Sequence, residues 1–157
     1  MSDIDEKDIH SFVDAVSAYF YQTTGEKAEI RSAYLVESGV SATTFELIGH
    51  ISLSGSFSGR VYFSASRGMV RHLLLMMKEL NHTEEHLLDT VGEVANTIAG
   101  NARQHFGDTM EISVPVVTAT THENWLNTVV SPRSYVILIK WKQYKASVVV
   151  DIQRIAK

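Results

Sequence analysis

Four residues of the stretch DTVGEVANTIAGNARQHFG could do chemistry together: Asp89, Glu93, Asn96 and Gly100, at spacings of four, three and four. On a helix, residues three or four apart are neighbours. At about 100° per residue all four fall within about 60° of one another. A carboxylate there can pair with a lysine or arginine of a partner. An amide neither ionises nor attacks, but its oxygen accepts and its nitrogen donates, so it can orient a water molecule. Together they suit a pair of groups that docks on another protein and aligns a hydrolytic water, and positioning alone removes a sizeable part of a reaction barrier. A glutamine plays this water-orienting part in GTPases.

An ordinary solvated face is the plain alternative, since any surface helix carries polar residues opposite its apolar stripe. Three features argue against it. Asparagine costs roughly 0.5 kcal/mol against alanine inside a helix. Gly100 costs about 1 kcal/mol. Asp89 and Glu93 repel one another at a spacing of four. A helix chosen for stability alone would not line up three weaknesses, and Gly100 leaves a flat spot where something can approach the backbone.

The elements that must position this row can be read from periodicity. Leu88, Val91, Ala95, Ile98 and Ala102 form the apolar sector of the same helix, which is expected from about Thr83 to Phe106. Asn81 with Glu84 has capping-box spacing at its start, and Gly107 marks its end. A first helix is expected from Asp5 to Thr24, stopped by Gly25, and another from Arg67 to Leu80. Strands are expected over Ala28–Val36, from Thr43 onward, over 60–66, and then over 111–121, 134–144 and 145–154. Residues 37–42 read as a loop, Ser54–Gly59 as a glycine-rich hairpin turn, and a further loop holds Pro132. Runs of strands and runs of helices argue an α+β fold, a largely antiparallel sheet packed against long helices. No linker is evident, so residues 1–157 are expected to form a single domain.

Composition narrows the function classes. The 157 residues are 45% hydrophobic and 20% charged, ordinary for a globular chain. The net charge of −4 argues against nucleic acid or an anionic membrane as the main partner. There is no cysteine, which excludes disulfides, thiolate metal sites and cysteine nucleophiles. The N-terminus lacks a signal-peptide pattern. The longest apolar run, Leu73–Met77, is far short of the roughly 20 residues that span a bilayer. A cytoplasmic protein is expected.

Other candidates are weaker. His82 and His86 sit at a ligating spacing, but no third ligand is evident. Gly55–Gly59 has a nucleophile-elbow outline with Phe57 where the serine must be. Met69, Met76 and Met77 read as core or interface packing, as do Trp125 and Trp141.

The row Asp89-x3-Glu93-x2-Asn96 with the later Pro115 resembles the signature of the CheC/CheX/FliY phosphatases of bacterial chemotaxis. VGEVANTIAGNAR and ISLSGSFSGRVYFSAS are similar to the CheX branch. The first helix carries no second Glu-x2-Asn pair, which also fits that branch. The resemblance covers most of the chain and implies the CheX fold. It also implies hydrolysis of the aspartyl phosphate on a CheY-like receiver domain. Glu93 would pair with a receiver lysine and Asn96 would align the attacking water. Asp89 and Pro115 would be supporting positions, Asp89 near the docking surface and Pro115 shaping the strand behind the helix. It implies no metal or cofactor of its own, Mg2+ being supplied by the receiver, and a homodimer joined through the sheets. The alternatives are a non-catalytic binding or scaffold module of the same fold, and a row that serves only as a dimer surface.

Overall fold

The computed structural model describes residues 2–35, 45–120 and 133–155. Eleven elements follow in the order β1 (Ser2–Asp3), α1 (Glu6–Thr24), β2 (Glu29–Leu35), β3 (Leu47–Gly55), β4 (Phe57–Ala65), α2 (Arg67–Met76), α3 (Glu84–Phe106), β5 (Met110–Ile112), β6 (Val116–Ala119), β7 (Tyr135–Trp141) and β8 (Tyr144–Arg154). The strands form one sheet in the order β2-β7-β8-β4-β3-β5, with every pairing antiparallel. Two further strands double up positions at the margins. β1 pairs with β8 beyond the end of β7, and β6 pairs with β3 alongside β5. The fold is the α+β arrangement expected from the sequence.

Alternation of side chains divides the sheet into two faces. Leu47, Ile51 and Leu53 of β3, Phe57, Val61 and Phe63 of β4, and Val148, Val150 and Ile152 of β8 join the main core with the three helices. On the other face Ile48, Tyr62, Val136 and Val149 make a smaller buried cluster. α1 begins on Asp5, whose carboxylate accepts from the Asp8 N–H at 2.9 Å while the Asp8 carboxylate accepts from the Asp5 N–H at 2.9 Å. It ends on Gly25, at φ 74°.

Several boundaries differ from the sequence reading for physical reasons. α2 stops at Met76 rather than Leu80: Leu75 and Leu80 are 61% and 96% exposed, so the apolar run outlasts the core it could pack on. The start of α3 is capped by Thr83, whose hydroxyl accepts from the His86 N–H at 3.3 Å; Asn81 instead accepts from the Thr83 N–H at 3.1 Å. The strand expected over 111–121 is two strands, interrupted at Pro115, which has no N–H to give to a ladder. The turn expected over Ser54–Gly59 is tighter, with Ser56 alone between β3 and β4. Gly59 lies inside β4 at φ 138°, where a Cβ would fall 1.8 Å from the Asp151 carbonyl oxygen. The short β1 had no signal in the sequence. Residues 37–42, the beginning of the strand expected from Thr43, the loop with Pro132, and Trp125 lie outside the described residues.

Candidate functional site

α3 packs on two sides, against the sheet through β3 and β4 and against α1. This widens its buried arc beyond the sector read from the sequence. Val91, Ala95, Ile98 and Ala102 are buried as expected, Leu88 is only half-buried, and Leu87, Val94 and Ala99 are buried as well. Thr90 is buried too, its hydroxyl donating to the His86 carbonyl at 2.8 Å.

Two glycines let α3 approach the sheet closely. A Cβ on Gly49 of β3 would lie 3.0 Å from the Val91 carbonyl oxygen and 3.2 Å from the Gly92 Cα. A Cβ on Gly92 would lie 2.9 Å from Val117 Cγ1 and 3.2 Å from Pro115 Cβ. Pro115 therefore seats its ring on α3 one residue before Glu93, from the break between β5 and β6. Nothing in the sequence pattern pairs Gly49 with Gly92.

Asp89, Glu93 and Asn96 are all exposed, as the wheel predicts. Among the described residues no ion pair or hydrogen bond engages the side chain of any of the three. The one local bond touches the backbone: the Thr97 hydroxyl donates to the Glu93 carbonyl at 2.9 Å. Glu84, at the start of the same helix, behaves otherwise. Arg67 grips its carboxylate through Nε at 3.0 Å and Nη2 at 2.8 Å, and reaches Glu46 at 2.7 Å. Those hydrogen bonds hold the Glu84 carboxyl below its ordinary range. The fold thus pairs a carboxylate where it needs one, and leaves Asp89 and Glu93 unpaired. Gly100 completes the row. It lies within the helix, at a φ any residue could adopt, and a Cβ on it would meet nothing within 4 Å.

On the α1 side, Tyr19 is 8% exposed and lies within electrostatic reach of Glu93. Further along, an open groove of about 760 Å3 runs between the helices, bounded by Asp14, Ala18 and Gln22 of α1 and by Asn101 and Gln104 of α3. At its far end the 1% exposed Asp8 locks the two helices to the sheet. Its carboxylate accepts from Arg154 Nη1 at 2.6 Å and Nη2 at 2.9 Å, and lies 2.7 Å from His105 Nε2. Burial pushes the Asp8 carboxyl up, but the bonds from Arg154, the Asp5 N–H and His105 outweigh it and hold it well below the usual carboxylate range.

The remaining sequence candidates fall elsewhere. His82 Nε2 lies 2.9 Å from the Glu79 carbonyl oxygen, in the connection before α3. Among the described residues no group of three or more His, Asp or Glu is placed to hold a metal ion. Trp141 is buried against Phe20, His72 and Tyr144. Met69 is buried, whereas Met77 is exposed. No described helix is long and apolar enough to cross a membrane.

An antiparallel sheet backed by helices, one of them carrying an unpaired Glu-x2-Asn row, defines the class: a CheX/CheC-like fold. A CheC-like superfamily protein from Shewanella sp. PV-4 superposes with a TM-score of 0.78 at 14% identity, over 96% of this chain and 99% of that one. The chemotaxis protein CheX from Desulfovibrio desulfuricans gives 0.74 at 18% identity, over 94% and 99%. The CheX-CheY-BeF3-Mg2+ complex from Borrelia burgdorferi gives 0.72 at 18% identity, over 93% and 97%. No curated protein matches the chain. Residues 47–140, more than half of the chain, match the family described as chemotaxis phosphatase CheX, and the protein belongs to the CheX family.

Proposed function

We propose that this protein is a phosphatase that hydrolyses the aspartyl phosphate of a CheY-like receiver domain. The observation that carries the reading is the pair Glu93 and Asn96: one turn apart, exposed, and with side chains that hydrogen-bond to no other described residue, on a helix whose opposite side is buried. The family description and the CheX-CheY complex from Borrelia burgdorferi supply the partner class.

In this reading the Glu93 carboxylate pairs with a lysine of the receiver and sets the register of docking. Asn96 then enters the receiver's site. Its amide oxygen accepts from a water and its nitrogen donates, so the water's lone pair points at phosphorus. The water oxygen forms the new bond to phosphorus, the bond to the aspartyl oxygen breaks, and inorganic phosphate leaves beside a free carboxylate. Mg2+ belongs to the receiver, and this chain needs no metal of its own. Pro115, wedged on Gly92, fixes the height of α3 under Glu93. Asp89 flanks the docking surface, and Gly100 lets the partner approach the helix backbone. A receiver partner places the reaction in the cytoplasm.

The test is the half-life of phosphorylated receivers of the host, with Mg2+, alone and with catalytic amounts of this protein. A shortened half-life for one of them supports the reading. Tight binding with no faster loss of phosphate from any of them would sink it in favour of a binding module. A homodimer joined through the sheets is proposed as well. Among the described residues the sheet has β2 at one edge and β5 with β6 at the other, each open to a second copy, and sedimentation velocity gives the size.

A further inference from the structure

The chain carries a net charge of −4, yet the β7–β8 hairpin reads KWKQYK from Lys140 to Lys145. The fold treats its three lysines differently. Lys142, on the turn at φ 55°, pairs with Glu26 at 2.9 Å. Lys140 and Lys145 stand directly opposite one another in the antiparallel ladder, so their side chains leave the same face of the sheet. Among the described residues neither makes an ion pair or a hydrogen bond. Like charges set opposite one another weaken a sheet, and nothing described offsets them.

That face is the one away from the helices. Val148 and Val150 of β8 join the main core, while Val149 belongs to the smaller cluster on the other side, with Leu138 of β7 packed against it. Lys145 alternates onto this second side. Beside it opens a cavity of about 230 Å3, lined by Phe45, Leu138, Ile139 and Ala146 and by two cations, Arg31 and Lys145. Phe45 is anchored there, its N–H donating to the Ser64 hydroxyl at 3.1 Å, and Ser64 meets Ser147 at 2.8 Å. Arg31 sits where the β2–β7 register shifts between Ile30 and Ser32, an irregularity of the kind that re-aims a side chain. Its Nη1 donates to Glu29 at 3.1 Å, and Glu29 also stands opposite Lys140. Glu46, next to Phe45, is taken up by Arg67 at 2.7 Å. Three cations, Arg31, Lys140 and Lys145, against the Glu29 carboxylate leave a local excess of positive charge.

An apolar lining under an uncompensated cationic rim matches a small organic anion. A guanidinium takes a carboxylate or a phosphate in a planar two-point contact, and the lysines add point charge. The cavity is smaller than the roughly 300–1,000 Å3 of sites for drug-sized ligands, so the apolar body is a short chain or a single ring. Nucleic acid would need a longer track of phosphate contacts. We propose that this pocket binds a small amphiphilic anion, its apolar body against Phe45 and Leu138 and its head group at Arg31 and Lys145. The site lies across the sheet from α3, so its test needs no receiver.

The experiment is a titration of the whole chain, followed in 1H–15N amide spectra, with hexanoate and hexyl phosphate as probes. Acetate and inorganic phosphate supply the head groups without the body, hexylammonium supplies the body with the opposite charge, and polyglutamate supplies negative charge on a long chain. Hexanoate or hexyl phosphate should saturate with a Kd of about 1 mM or below, moving the amides of Leu138, Ile139, Lys145 and Ala146 most. The tighter of the two tells a carboxylate from a phosphate ligand. Acetate, inorganic phosphate and hexylammonium should bind at least about tenfold more weakly. Arg31→Gln combined with Lys145→Gln, both at exposed positions, should keep the unfolding midpoint and weaken binding about tenfold or more, the scale of hydrogen bonds to a charged group. No saturable shift with either probe overturns the proposal, as does unchanged affinity in the double variant. Equal affinity for acetate or inorganic phosphate would mean a patch that reads charge alone, and tighter binding of polyglutamate would mean an acidic macromolecule. Either result overturns the proposal as well.

Discussion

Gly92 and Gly100 lie two turns apart on the same helix and sit in opposite surroundings. At Gly92 the missing side chain is demanded from inside the chain: Val117 and Pro115 occupy the space a Cβ would take, and Gly49 brings β3 against the backbone beside it. At Gly100 no contact and no backbone angle asks for glycine. Glycine costs about 1 kcal/mol in a helix, and the proposed docking of a partner gives Gly100 a use that the described fold does not. The same contrast separates Glu84, gripped by Arg67, from Glu93, which has no cation among the described residues. One side of α3 is packed for stability, and in the proposed reading the other is kept clear for a partner.

Substitutions can break or sharpen this contrast. The largest effect is expected at the packed end of the helix. Asp8→Ala leaves Arg154 and His105 without their shared acceptor and should cost about 2–3 kcal/mol in thermal or urea unfolding, the scale of hydrogen bonds to a charged group whose partners are partly solvated. Asp8→Asn tests the charge. Because folding depresses the Asp8 carboxyl, its stabilisation is complete above the unfolded value of about 3.9 and disappears as the pH falls below it. Wild type should therefore lose stability on acidification below about pH 4 more steeply than Asp8→Asn. Equal slopes would remove Asp8 from the account.

Next comes Gly92→Val, which forces a branched side chain into Val117 and Pro115. It should destabilise by about 1–3 kcal/mol in urea unfolding, the range for overpacking. Gly100→Ala should do the reverse and raise stability by up to about 1 kcal/mol. Gly100→Leu should also be tolerated by the fold yet raise KM for the receiver. If Gly100→Leu unfolds the protein, or leaves KM untouched, the distinction between the two glycines fails.

The sequence carried the parts of this picture that depend on period and on backbone chemistry. The exposed row of α3 follows from spacings of four and three, and the stop of α1 from Gly25. The rest depends on which elements meet. Nothing in the local pattern says that Gly49 faces Gly92, because that contact joins residues more than forty positions apart. The end of α2 was misjudged for a related reason. Leu75 and Leu80 continue an apolar run, but whether an apolar residue is buried depends on a surface that other segments supply. Likewise β1, two residues long, has no periodicity to read and forms because β8 extends past β7.

The most direct test of the open face is Asn96→Ala. It should leave the unfolding midpoint within experimental error and leave affinity for a receiver loaded with BeF3 and Mg2+ within about twofold, a surface change with no lost partner. It should cut kcat for phosphate release by two orders of magnitude or more, on the order of 3 kcal/mol of positioning. An unchanged kcat in a folded Asn96→Ala protein would contradict the account, because the row on α3 would then do no chemistry.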